Sequence, residues 1–222
     1  MNKKYKSFYF LHIPKTGGRY INKYIFYHLR IERRNQNTNW KIKSLESDGH
    51  GGWRKGITDD TYIVSILRDP VKLACSYFTH FASYYRKNTK ESFIKWIETE
   101  KWFHNFQAKN FLFDTSSFSP KDYAKKFNSE NIDIDELNKR INRIDFLFTT
   151  DYLKTNINDI CKKICTDLDL DINNKEFPED TIFNQPESIR LYNSLSEQEI
   201  KNISSLFSVD YYLYNKVRSL EI

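Results

Sequence analysis

Lys15, Thr16, Gly17 and Gly18 stand together in a tight Pro-Lys-Thr-Gly-Gly turn, and residues of these types can hold an anion. Neither glycine carries a Cβ, so the backbone can come close to a phosphate. The lysine adds a mobile point charge. Arg68 closes a second apolar stretch and opens Arg68-Asp-Pro70. His50 lies in Asp48-Gly-His-Gly-Gly-Trp53, a glycine-rich loop. An imidazole there titrates near neutrality and can accept a hydroxyl proton.

The elements that must position these groups are visible around them. Phe8-Tyr-Phe-Leu-His-Ile13 is an apolar, aromatic run that reads as a buried strand. After the turn, Ile21, Tyr24, Ile25 and Leu29 fall at helical spacing. Strand, glycine turn and helix N-terminus make an anion cradle, because free backbone N–H groups and the positive end of the helix dipole meet at one spot. Thr61-Tyr-Ile-Val-Ser-Ile-Leu67 is rich in β-branched and aromatic residues and predicts another buried strand. Asp69 suits the cap of the following helix and Pro70 its first turn. Ser76 then lies about two turns along that helix from Arg68.

The order of residues in the first turn excludes the nucleoside-triphosphatase loop, which places its Lys-Ser/Thr pair after the glycines. His12-Ile-Pro-Lys-Thr-Gly-Gly18 instead resembles the 5′-phosphosulfate loop of sulfotransferases that use 3′-phosphoadenosine 5′-phosphosulfate (PAPS). The likeness is to the branch of the heparan sulfate 2-O- and 6-O-sulfotransferases and their bacterial relatives. In that family an arginine at a strand end and a serine eight residues later hold the 3′-phosphate, and Arg68 and Ser76 match both positions. A guanidinium fork fits phosphate oxygens and a hydroxyl adds one more bond. The resemblance implies that Lys15 meets the bridging oxygen and that Thr16, Gly17, Gly18 and Tyr20 line the 5′-phosphate. Arg19 stands where relatives carry threonine, and either contacts phosphate or points outward. The branch places its base histidine after the second strand, which matches His50.

Two departures accompany the match. Relatives often carry a second arginine five residues after the first, where this chain has Leu73, with Lys72 beside it. Leu73 is expected in the core and Lys72 to supply some of the lost charge. After the fourth strand the family has glycine and glutamate; here Thr149-Thr-Asp151 follows. Asn105-Phe-Gln-Ala-Lys109 with Leu112 resembles the family's N-x-Q-x-[RK]-x-x-L helix, and Leu195–Ile200 with Asp210–Tyr214 resembles its closing helices. Arg54-Lys-Gly56 is like a run in cytosolic aryl sulfotransferases, but it lies between the second and third strands and counts as coincidence.

The chain has 222 residues, enough for one domain over 1–222 with a sizeable core. Mean hydropathy is −0.70, yet 16% of residues are aromatic, and the fifteen Tyr and seventeen Phe can build the interior. The formal charge is +6. Arg30, Arg33, Arg34, Lys41 and Lys43 form a basic stretch without any accompanying nucleic-acid motif. Three cysteines make no disulfide framework, and Cys161 and Cys165, one helical turn apart, are expected to pack. No histidine or cysteine spacing suggests a metal. No apolar run reaches membrane-spanning length, and the first strand begins at once, so the chain is read as cytoplasmic.

Strands are predicted at 6–13, 40–46, 61–67 and 145–149. Helices are predicted at 18–30, 71–86, 90–100, 102–113, from 120, at 133–143 and at 153–168, with a loop over 169–186 and a capping box of Ser196 with Glu199. Strands alternating with helices give an α/β fold, a three-layer parallel sheet with helices on both faces and a P-loop-like 5′-phosphosulfate-binding loop. Ligands in such folds sit at the carboxyl ends of the strands, where both motifs fall. The reading is a sulfotransferase moving a sulfuryl group from PAPS to an acceptor hydroxyl, implied by the resemblance to be that of a saccharide or glycoconjugate, with PAP (3′-phosphoadenosine 5′-phosphate) as product. Its rivals are a nucleotide-dependent, kinase-like phosphotransferase and a non-catalytic nucleotide-binding relative.

Overall fold

The computed structural model describes residues 5–18, 43–44, 52–53, 57–82, 88–114, 120–128, 131–170 and 186–221. Four parallel strands form its sheet: β1 (Ser7–Leu11), β2 (Lys43–Ser44), β3 (Thr61–Leu67) and β4 (Phe146–Thr149), in the order β2-β1-β3-β4. β1 and β3 are neighbours over five residue pairs, from Ser7 opposite Thr61 to Leu11 opposite Ser65. β4 joins the far side of β3, from Val64 opposite Phe146 to Leu67 opposite Thr149.

The continuous apolar run of the central strands has a simple cause. Side chains alternate across a strand, and here both sides are buried. Phe8, Phe10, Tyr62, Val64, Ile66 and Phe148 point to one core. Tyr9, Leu11, Ile63 and Leu67 point to the other. The first core is closed by α6 (Thr150–Thr155) and α7 (Ile157–Leu168), through Leu153, Ile160, Ile164 and Leu168. The second is closed by α1 (Pro70–Ala82), α2 (Lys90–Thr99), α3 (Phe106–Leu112), α4 (Pro120–Phe127), α5 (Ile134–Asn142), α8 (Pro186–Asn193), α9 (Glu197–Ser205) and α10 (Ser208–Arg218). The predicted three-layer α/β sheet with helices on both faces is the observed architecture.

Local chemistry explains the element ends. Asp69 caps α1 by accepting from Lys72 N–H at 2.9 Å. Thr89 caps α2 and Asp133 caps α5 in the same way. Ser196 and Glu199 form the predicted capping box at the start of α9. Three expectations need correction. The helix predicted over 102–113 is a 3₁₀ turn, Lys101–Phe103, followed by α3, because Asn105 turns left-handed at φ 52°. The helix predicted over 153–168 is two, α6 and α7, parted at Asn156. The loop predicted over 169–186 gives way at Pro186 to α8, a helix the sequence reading did not include; 171–185 lie outside the described residues. Most of the predicted helix at 18–30 also lies outside them, as do the flanks of β2.

The amino end of the sheet is tied by Asp145. Its carboxylate accepts from Ile63 N–H at 2.8 Å, Tyr5 O–H at 2.6 Å and Arg143 at 3.1 Å. The carboxyl end is left for the loops. The cysteines are free thiols, all buried.

Candidate active site

The loop after β1 is closed by its own threonine. Thr16 donates both its backbone N–H and its hydroxyl to the Ile13 carbonyl, at 3.3 and 2.8 Å, and is fully buried. Its side chain therefore faces into the fold, while Lys15 and Gly17 on either side are partly exposed. Lys15 and Gly17 adopt positive φ, 69° and 96°. Left-handed residues within a turn are the backbone geometry that gathers successive N–H groups into an anion-binding concavity. A left-handed lysine is strained, which is common where a loop serves a ligand.

Gly18 is needed for a different reason. A Cβ at that position would lie 1.7 Å from His12 Nε2. His12 is buried and stacks on Phe10 with ring centroids 5.2 Å apart. It forms the wall against which Gly18 rests.

The second motif reaches the first. Arg68 Nη1 donates to the Lys15 carbonyl at 3.0 Å. β1 and β3 are adjacent, so their carboxyl ends deliver the two motifs to one place. Burial lowers the Arg68 pKa, opposed by Cys75, Asp151 and Asp69. The arginine stays charged, since its ordinary value is so high. Ser76 is buried at 1% exposure in the body of α1. Leu73 is equally buried in the core, as expected, so no charge can stand there. Lys72 lies 5.6 Å from the centre of the Tyr192 ring. Its charge also helps lower the Asp151 pKa: burial acts to raise it, but Lys72, the Tyr214 hydroxyl and Lys154 outweigh burial. Arg19, Tyr20, His50 and the Arg54-Lys-Gly56 run lie outside the described residues.

The backbone of Arg68 is gripped by Gln107. Arg68 N–H donates to Gln107 Oε1 and Gln107 Nε2 donates to the Arg68 carbonyl, each at 2.9 Å. Gln107 is fully buried in α3. Behind it, Asp210 accepts from the backbone N–H groups of Gln107 and Ala108 at 3.1 and 2.8 Å. Asn105 returns the favour, its Oδ1 accepting from Val209 and Asp210 N–H at 2.9 and 3.2 Å. Thus α3 is capped by a residue of α10 and α10 by the residue before α3. The Asn105 and Gln107 spacing was visible in the sequence. Their partners, about a hundred residues away, were not.

His104 does not reach toward this cluster. Its Nε2 lies 2.8 Å from the Ile97 carbonyl, and its ring meets Phe207 edge-on at 6.2 Å. Burial lowers its pKa, the Ile97 carbonyl opposing. Among the described residues no group of three or more His, Cys, Asp or Glu side chains is placed to hold a metal ion. No described helix is long and apolar enough to cross a membrane.

No family model matches the chain, and no curated protein matches it. A solved structure does: a sulfotransferase from Alicyclobacillus acidocaldarius superposes with a TM-score of 0.50 at 11% identity, over 91% of this chain and 96% of that one. The two share a fold. At that identity the likeness concerns architecture, and the chemistry has to be argued from the residues of this chain.

Proposed function

We propose that this protein is a PAPS-dependent sulfotransferase, akin to the heparan sulfate 2-O-/6-O- branch, that sulfates a saccharide hydroxyl in the cytoplasm. The observation that carries the reading is the 3.0 Å bond from Arg68 to the Lys15 carbonyl. It joins the two motifs at the carboxyl ends of adjacent strands, which supports a single site for a nucleotide carrying 5′ and 3′ anionic groups. The shared fold with a solved sulfotransferase supports it.

In this reading the amides of Gly17 and Gly18 receive the 5′-phosphate, with Thr16 closing the loop behind them and Tyr20 and Arg19 following. Arg68 and Ser76 hold the 3′-phosphate. The acceptor oxygen attacks sulfur as the bond from sulfur to the bridging oxygen breaks. His50 takes the acceptor proton, Lys15 neutralises the charge growing on the bridging oxygen, and PAP leaves. Positioning and electrostatic stabilisation supply most of the rate in such group transfers.

Calorimetry with PAP, AMP and ATP tests the nucleotide. PAP should bind much more tightly than AMP, and ATP should have no comparable effect. Arg68→Ala should weaken PAP at least about tenfold, since a charged hydrogen bond is worth about 1.5–3 kcal/mol, and should weaken AMP by less, because AMP loses only the support Arg68 gives the Lys15 carbonyl. Equal affinities for PAP and AMP in the wild type would sink the assignment. A labelled-sulfate transfer screen over glycans, peptides and small hydroxyl compounds would identify the acceptor.

A further inference from the structure

We propose that Gln107 is a positioning residue for the 3′-phosphate site, setting the backbone at Arg68 so that its guanidinium reaches the nucleotide. The inference rests on the nucleotide reading above and adds to it a residue that touches no ligand.

The geometry is specific. β3 ends at Leu67, and the chain must turn through Arg68 and Asp69 into α1 at Pro70. A strand's last peptide groups lose their ladder partners at such a point. The Gln107 amide supplies both missing partners at Arg68, one donor and one acceptor, each at 2.9 Å. Backbone polarity fixes the orientation of the amide: the Arg68 N–H requires an oxygen and its carbonyl requires an N–H. Gln107 is itself immobile. Its side chain is fully buried, and its own N–H is held by Asp210. The path therefore runs from α10, through Asp210 and Gln107, to the backbone of Arg68 and on to the Lys15 carbonyl. A shorter or apolar side chain at 107 would release the Arg68 peptide groups. The guanidinium at the far end of a flexible side chain would then lose its fixed origin.

The test is the ratio of AMP to PAP dissociation constants in wild type, Gln107→Leu, Arg68→Ala and the double variant. Because AMP lacks the 3′-phosphate, the ratio isolates that site from general damage to the fold. Gln107→Leu should lower the ratio about tenfold, and adding it to Arg68→Ala should lower it no further, since both act through one contact. A wild-type preference for PAP that Arg68→Ala abolishes and Gln107→Leu preserves would overturn the positioning role alone. Losses that multiply in the double variant would overturn it too. Absence of any wild-type preference would overturn the nucleotide reading and this inference with it. Gln107→Glu keeps the shape should the leucine variant fail to fold. Its second oxygen, when ionised, faces the Arg68 carbonyl and repels it; when protonated, it donates. The PAP preference of Gln107→Glu should therefore be weak at alkaline pH, where the buried carboxyl is ionised, and recover as pH falls, while wild type shows no such recovery. A flat profile at wild-type level would refute the proposal.

Discussion

Lys15 has a carbonyl that receives Arg68, a left-handed backbone at φ 69° and a side chain beside two glycines. The first two features fix where its Cβ points; the third decides what the ammonium can meet. If it meets the leaving oxygen, its charge matters more at the transition state than in the bound substrate. Lys15→Ala should then lower kcat more than it raises KM for PAPS. A raised KM at unchanged kcat would make Lys15 a binding residue only. Lysine, glycine and arginine stood out in the sequence because their chemistry is local and their neighbours are adjacent. Gln107 and Asp210 were visible as parts of motifs, but what they hold was not, since their partners lie on other elements.

At the scale of elements, the loop after β1 depends on one close approach. Gly18 leaves room for the His12 ring, and a methyl group there would overlap it. Overpacking of this kind costs about 1–3 kcal/mol. Gly18→Ala should lower Tm and weaken PAP together, because the ring and the phosphate loop share a backbone. Adding His12→Ala should restore part of the Tm by giving the methyl group space. A double variant no more stable than Gly18→Ala would show that the contact is not the cause. β3 was legible in full, from Thr61 to Leu67, because a strand buried on both faces is apolar throughout. The breaks at Asn105 and Asn156 were not, since asparagine tolerates helical and left-handed backbone alike and the hydrogen bonds that reward a break form only in the fold. At Asn105 the reward is the α10 amides. α8 was missed because its eight residues bury only Ser188 and Leu191.

The whole molecule is pinned by a buried polar centre. Asp210 is fully buried, and burial pushes its pKa up to about 7, with the amides of Ala108 and Gln107 and the charge of Lys109 opposing. Lys109 donates to the carbonyls of Lys101, Trp102 and Phe127, and burial pushes it down to about 8, Asp210 opposing. The folded chain thus keeps the Asp210 proton up to about pH 7, while the unfolded chain releases it near the ordinary value of 3.8. The stability tied to that proton is complete below the lower value and lost as pH rises through the upper one. Lys109 acts the other way, adding stability from about pH 8 up to its ordinary value of 10.5. Measured as Tm against pH, the advantage of wild type over Asp210→Asn should shrink between about pH 4 and pH 7. An advantage that grows with pH over that window would mean the carboxylate is ionised in the fold throughout.

The crossed capping of α3 and α10 also orders events in time. Ala108 and Asp210 are 102 positions apart. A ribosome adding roughly 5–20 residues per second needs about 5–20 seconds to travel between them. During that interval both phosphate motifs have been synthesised, but the residue that locks Gln107 does not yet exist. A nascent chain therefore carries the pieces of a nucleotide site well before it can hold them in register. If the proposed nucleotide reading holds, ribosome-bound chains stalled before residue 210 should show no PAP binding under conditions where the released protein shows it.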